Sequence, residues 1–308
     1  MTQAIVKTNA AIQTDADAFV AAAEKAYSRQ LTKIADYIAA HKEQCPIVLI
    51  SGPSGSGKTT SALILEEKLD RRGIETHTLS QDNYFNTLTE EDRALLAEGK
   101  LDLESPKRVD ADLLNSQLAD IIAGKTVELT EFDFKNHTRN KSGKTLTRKP
   151  GEVVILEGIH TLNPEVVTLP EEQTVRLYVS VRTRVEGPDG AMLHPKYIRL
   201  LRRMQRDVEH RGRHAEDTLA MFHSVNRGED SFIMPYKHRS TFDIDTYFPY
   251  EIHVYRKYLL DDLQRMADKP EIATILPILS AAAPLDAAAV PETALIREFI
   301  GNSVYHNG

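Results

Sequence analysis

The sequence predicts an α/β fold: a three-layer sandwich on a mainly parallel sheet, with an arginine-rich lid and helical additions at both ends. Three observations point there. Apolar runs at Pro46–Ile50, Glu152–Glu157 and Val175–Val181 have the length and composition of strands buried on both faces. Helical patterns separate them, the alternation that a parallel sheet requires. The first run leads straight into Gly52-Pro53-Ser54-Gly55-Ser56-Gly57-Lys58-Thr59, a full match to G-x-x-x-x-G-K-[ST]. In that motif the glycines let backbone N–H groups wrap a phosphate, and the next helix adds its positive end. Lys58 then reaches the β- and γ-phosphates, and the Thr59 hydroxyl takes Mg2+. The fold class is that of the P-loop NTPases. ATP or GTP is expected on Gly52, Ser54, Gly55, Ser56, Gly57, Lys58, Thr59 and Thr60.

Along the chain, residues 1 to about 14 carry no clear period and read as unstructured. Asp15 to about His41 has Phe19, Ala22, Ala23, Ala26, Leu31, Ile34, Ala35 and Ile38 at helical spacings, which makes 1–43 a helical N-terminal extension. A helix from Thr60 to Arg72 closes at Gly73, and Ile74–Ser80 is a second strand, ending in Gln81-Asp82-Asn83-Tyr84-Phe85. Thr89 opens a short helix with a capping box, Asp110 caps another, and Leu101–Pro106 is an acidic extended connector. Val127–Phe134 alternates as a strand, and Asn140-Lys141-Ser142-Gly143 reads as a hairpin turn. The main domain is expected over 44–268, with its lid at about 199–215. Residues 269–308 form a C-terminal extension packed on the core, with a final helix near Leu295–Ile300.

Composition limits the function classes. The 308 residues are 41% hydrophobic and 27% charged, ordinary values for a globular chain. A net charge of −7 argues against nonspecific binding to nucleic acid or anionic membranes. Cys45 is the only cysteine, so no intrachain disulfide forms. With no signal-like start and no run of 18 apolar residues, a cytoplasmic location is expected. The partner is a small molecule, and a homo-oligomer is left open.

Chemistry concentrates at the strand ends, where open α/β sheets bind their ligands. Asp82 ends the second strand and is assigned as base for an acceptor hydroxyl, with a share in the metal shell. Glu157 ends the next apolar strand and is assigned as the Walker-B-like acid that holds Mg2+. Arg199, Arg202, Arg203, Arg206, Arg211 and Arg213 crowd one short stretch of an acidic protein. They read as a lid whose guanidinium groups close over the triphosphate, with Arg199 and Arg202 as solvent-facing exceptions. Phe132, Phe134, His137 and Arg139 collect at one strand end, a set able to stack a planar base and bond its edge. His210 and His214 have helical spacing but no third ligand nearby, so no metal is expected there. No N-K-x-D motif is present, which excludes a GTPase switch.

These stretches together resemble the phosphoribulokinase/uridine kinase family of P-loop kinases. The carriers are GPSGSGKTT, SQDNYF, EFDFKNHTR, VVILEGIH and RRMQRDVEHRGR, with HAEDTLAMFHSV, GEDSFIMPY and ALIREFIGNS resembling a bacterial uridine-kinase-like branch. The resemblance spans residues 30 to about 305. It implies Asp82 as catalytic base together with Lys58, Arg206 and Arg211 as catalytic residues. Glu157 and Thr59 are implied as Mg2+-linked groups, and Arg206, Arg211 and Arg213 as lid arginines on ATP. On the acceptor side it implies Arg203, with His137 reading a pyrimidine edge; Tyr84 and Arg139 join them as acceptor contacts. Glu104 stands where the uridine–cytidine kinases hold the ribose with an aspartate. Phe132 stands for a base-contacting tyrosine, keeping a stacking face, and a glutamine is absent near Met221. The expected activity is transfer of a γ-phosphate to the 5′-hydroxyl of uridine or cytidine. The alternatives are the same chemistry on a sugar, polyol or other metabolite, or a nucleotide sensor without catalysis.

Overall fold

The computed structural model describes residues 1–305. In chain order it runs β1 (Thr2–Ala4), α1 (Ile5–His41), β2 (Ile47–Ser51), α2 (Lys58–Asp70), β3 (Thr76–Ser80), α3 (Glu90–Ala97) and α4 (Ala111–Ile122). Next come β4 (Val127–Asp133), β5 (Thr138–Leu146), β6 (Val153–Glu157), β7 (Thr174–Ser180), β8 (Arg184–Glu186) and β9 (Met192–Leu193). The chain then forms α5 (Pro195–Arg211), α6 (Ala215–Ala220), α7 (Phe222–Phe232), β10 (Phe242–Asp245), α8 (Glu251–Arg265), α9 (Pro270–Ala281) and α10 (Arg297–Ile300).

The central sheet has the order β10-β7-β2-β6-β3, and every pairing in it is parallel. All residues of β2, β6 and β7 are buried, which explains their unbroken apolar character. Alternate side chains feed two cores. Val48, Ile50, Val153 and Ile155 face the layer of α1, α2, α5, α8 and α9. Ile47, Leu49, Val154 and Leu156 face α4 and the β4–β5 hairpin. Register then fixes the site: Glu157 pairs with Ile50 on one side and Ser80 on the other. The loops after β2 and β3 therefore emerge beside the Glu157 carboxylate.

Three expectations need correction. Residues 1–14 are ordered: β1 pairs in parallel with β8, and Ile5 and Thr8 are buried. The helix expected from Asp15 is nonetheless real, because α1 breaks there (φ −162°, ψ 96°) and the Asp15 carboxylate caps the Ala18 N–H at 2.9 Å. The hairpin turns at Phe134–His137 and not at Asn140–Gly143, which lies inside β5. Asp133 Oδ1 draws that turn shut by accepting from Lys135 N and Asn136 N, while Gly143 (φ 71°) lies in the strand beside a register shift. The terminal helix shrinks to the single turn α10, while the unexpected α9 carries Pro277 and buries Ile272, Ile275, Ile278 and Leu279. Residues 306–308 of the expected C-terminal extension lie outside the described residues.

Candidate active site

The phosphate loop joins β2 to α2 and is packed so tightly that its glycines have no substitute. A Cβ on Gly52 would stand 1.9 Å from the Val179 carbonyl oxygen. Gly57 adopts φ 84°, and a Cβ there would strike Leu295 at 2.7 Å. The loop's tip is held from behind. Arg202 is fully buried and donates from Nη1 to the carbonyls of Gly55 (3.2 Å) and Ser56 (3.4 Å), and from Nη2 to Thr246 O (2.5 Å). Its Nε and Nη2 also grip both oxygens of buried Glu251, at 2.8 and 3.0 Å. Thr246 Oγ1 donates to Ser56 O at 2.8 Å. With these carbonyls tied back, the loop's amides are left for an anion, and α2 points its N-terminus at the same place. Lys58 Nζ donates to the Pro53 carbonyl at 3.4 Å, and Thr60 Oγ1 donates to Glu298 at 2.6 Å.

Asp82 lies in a short 3-10 turn at the end of β3, and burial pushes its carboxyl above the usual range although Lys58 pulls it down. Burial likewise raises Glu157, opposed by Lys58, while Asp82 and Glu298 add to the rise and Ser80 donates to it at 2.8 Å. Glu104 is raised by burial and opposed by Arg203 and Lys58. Its side chain packs flat on Gly228, where a Cβ would meet it at 2.3 Å. Asp82, Glu104 and Glu157 thus gather round Lys58. Among the described residues no group of three His, Cys, Asp or Glu side chains is arranged to hold a metal by itself. Thr59 and Glu157 supply only hard oxygen donors, the kind Mg2+ accepts when phosphate oxygens and water complete its shell.

The arginine run divides in two. Arg199 and Arg202 are not solvent-facing. Arg199 is 6% exposed, pairs with Glu229 and donates to Ser180 Oγ at 3.4 Å, while Arg202 braces the loop. Arg203 is 5% exposed, its Nε has no hydrogen-bond partner among the described residues, and burial lowers its pKa to about 10; it faces Glu104. Arg206 and Arg211 are both gathered by Asp207, at 3.0 and 3.2 Å, and Thr218 donates to the same carboxylate at 2.9 Å. Burial would raise Asp207, but Arg206 and the other partners bring it below its ordinary value. Arg213, past the left-handed Gly212, is exposed. Arg206 and Arg211 therefore lie in the C-terminal half of α5, and Arg213 lies just past its end.

On the acceptor wall three expectations change. Tyr84 is 2% exposed and its hydroxyl donates to Gln117, so it braces the wall. Arg139 is committed to Asp110 at 2.8 Å. Phe132 offers no stacking face: it is 5% exposed, with the Phe85 and Phe134 rings at 5.6 and 5.2 Å. The ring that does face outward is Phe134, 58% exposed. His137 lies at the hairpin tip with φ 53° and is half-buried. Sequence reasoning missed Arg108, which hangs over the Phe85 ring at 4.9 Å and is attracted by Asp82 and Glu104. Its Nε is buried without a hydrogen-bond partner among the described residues. It also missed Thr246 and Glu251, whose role depends on contacts far apart in sequence.

Comparison with known proteins decides the family. The model of the Phosphoribulokinase / Uridine kinase family matches residues 47–247. The chain belongs to that family. It is 32% identical over 200 residues to the uridine kinase of Ligilactobacillus salivarius, covering 64% of this chain and 84% of that one. It is 31% identical over 205 residues to uridine-cytidine kinase 2-B of Danio rerio, covering 64% and 72%. Among solved structures it is similar to D-glycerate 3-kinase from Cryptococcus neoformans, with a TM-score of 0.37, 17% identity, and 83% and 87% coverage. As a family member it is a phosphotransferase with a hydroxyl acceptor, a small-molecule kinase. The match leaves α1 and everything from α8 onward outside the family's shared part. No described helix is long and apolar enough to cross a membrane.

Proposed function

We propose that this kinase transfers the γ-phosphate of ATP or GTP to the 5′-hydroxyl of a pyrimidine nucleoside, uridine or cytidine. The observation that carries it is the convergence of the phosphate loop, Asp82 and Glu157 on three adjacent parallel strand ends, with Glu104 and Arg203 facing each other alongside. Loop amides and Lys58 hold the donor's phosphates. Mg2+ bound through Thr59 and Glu157 supplies charge neutralisation for the phosphate oxygens. Asp82 accepts the hydroxyl proton; burial makes it a stronger base than an ordinary aspartate. Arg206 and Arg211, presented together by Asp207, stabilise charge on the group in transit, and Arg213 closes from the lid's outer end. Glu104 accepts from the acceptor's hydroxyls, Phe134 stacks on its ring, and His137 reads the ring edge. Relatives named uridine kinase support this reading.

A second reading has one observation of its own. Arg108 lies near Asp82 and Glu104 with a buried Nε that has no hydrogen-bond partner among the described residues, which suits an anionic acceptor group that a neutral pyrimidine nucleoside lacks. Phosphate transfer to a panel of nucleosides, sugars, polyols and hydroxy acids separates the two. Turnover of uridine or cytidine supports the first; no nucleoside turnover with good turnover of another hydroxyl compound overturns it.

A further inference from the structure

The run Ala294–Ser303 lies beyond the matched residues 47–247, yet it touches the phosphate loop at Gly57 and Thr60. Ala294, Leu295, Ile296, Phe299 and Ile300 are buried. The Leu295 side chain lies directly against Gly57, the last glycine of the phosphate loop. Phe299 lies under the Arg202 guanidinium at 5.2 Å, the group that ties back the Gly55 and Ser56 carbonyls. Glu298 accepts from Thr60 Oγ1 at 2.6 Å, in the first turn of α2. The segment is locked in this pose by Arg297, whose Nη2 donates to the carbonyls of Ala287 (2.8 Å) and Val290 (2.6 Å).

We propose that this segment is the donor-side wall of the phosphate site, with Glu298 a positioning residue that holds the Thr60 hydroxyl and sets the charge met by the donor's polyphosphate. The proposal rests on Gly52–Thr60 being the donor site. The Glu298 carboxylate, bonded to the Thr60 hydroxyl, lies beside the first turn of α2, near the positive end that a phosphate would use, so the two anions repel there. Its charge also reaches Glu157 across the same site. Free triphosphate, with its full negative charge, therefore meets more repulsion than triphosphate neutralised by a divalent cation. Glu298 thereby biases the loop towards the metal-loaded donor. Leu295 and Phe299 meanwhile hold the loop and its brace in register.

The test is nucleotide binding, which needs no turnover. Full-length wild type and Glu298→Gln are titrated with ATP in EDTA and with ATP plus excess Mg2+, by calorimetry. The variant is expected to bind metal-free ATP about 3- to 10-fold more tightly, with a smaller change for the metal complex. Glu298→Asp keeps the charge and is expected to keep wild-type discrimination. Leu295→Ala is expected to raise the donor KM several-fold and leave the acceptor KM unchanged. Unchanged discrimination in Glu298→Gln overturns the proposal, as does an equal shift of donor and acceptor KM in Leu295→Ala. If Glu298→Gln does not fold, a gain of metal-free affinity by Glu298→Asp overturns the charge role, and wild-type discrimination in it supports that role. Wild type that binds ATP but phosphorylates no hydroxyl compound sinks the kinase reading and leaves this one standing.

Discussion

Arg202 offers the sharpest test of how the phosphate loop is held. Both it and Glu251 are 0% exposed, and the pair is bidentate at 2.8 and 3.0 Å. Arg202→Ala strands the Glu251 carboxylate in the interior and takes the donor from the Gly55, Ser56 and Thr246 carbonyls. Breaking one side of such a buried pair costs about 3–5 kcal/mol. At roughly 2–4 °C per kcal/mol, the melting temperature should fall by about 6–20 °C. The double variant Arg202→Met with Glu251→Leu removes both charges and keeps apolar volume, so most of that stability should return. The donor KM should not return with it, since the loop carbonyls still lack their guanidinium. Thermal melts and initial rates at saturating acceptor measure the two quantities separately. A single variant melting within about 2 °C of wild type would refute the buried-pair reasoning. A double variant that restores donor KM along with stability would refute the role assigned to the brace.

Asp82→Asn should lower kcat/KM by about 10²–10⁴ while donor affinity stays within a few-fold, read by coupled assay and calorimetry. The base must be ionised, and burial raises its pKa, so the acid limb of the kcat/KM profile should lie above the ordinary aspartate range; a limb at the ordinary position would remove Asp82 from that role. Gly52→Ala pushes a methyl to within 1.9 Å of Val179 O, so ATP should no longer raise the melting temperature of the folded variant. Glu24 accepts from the Tyr250 hydroxyl, yet burial raises its pKa from 4.5 to about 7. The folded state then holds the proton more tightly than the unfolded one, so stability is fullest below about 4.5 and is lost as pH rises through about 7. Because Glu24 is only half-buried by surface exposure, that loss should be about 1–2 kcal/mol, and Glu24→Gln should flatten it in urea melts across the window.

The donor half of the site was legible because its determinants are local. A buried strand, three glycines, a lysine and a threonine in fixed order leave one backbone path, and Asp82 and Glu157 inherit their places from the ends of adjoining strands. The hairpin misled because two residues competed for its turn. Gly143 has the freer backbone, but Asp133 closes two N–H groups at once, and the resulting turn places His137 at the tip. Phe132 and Phe134 sit two apart in an alternating stretch, so the alternation cannot say that the strand ends at Asp133 and leaves the Phe134 ring outside. Phe85, from another loop, decides it by packing on Phe132. The role of Ala294–Ser303 needed the fold itself, since its contacts lie at Gly57, Thr60 and Arg202.

The arginine run is the instructive failure, for the signal was present and was outweighed by composition. Positions 199, 202, 203 and 206 are i, i+3, i+4 and i+7 on one helix, a single face, with Leu201 and Met204 beside them. Charge alone reads that face as solvated. Periodicity reads it as the face turned to the body of the protein, and the structure follows periodicity. Burying such a face demands anions in matching places, which Glu229 and Glu251 provide from elements 30 and 49 residues on. One helix can then carry two functions graded along its length. Arg202 ties back the loop carbonyls, while Arg206 and Arg211, one and two turns further on, share Asp207 at 3.0 and 3.2 Å. A guanidinium that shares one carboxylate keeps donors for a second anion, and the lid role proposed for Arg206 and Arg211 rests on that difference from Arg202.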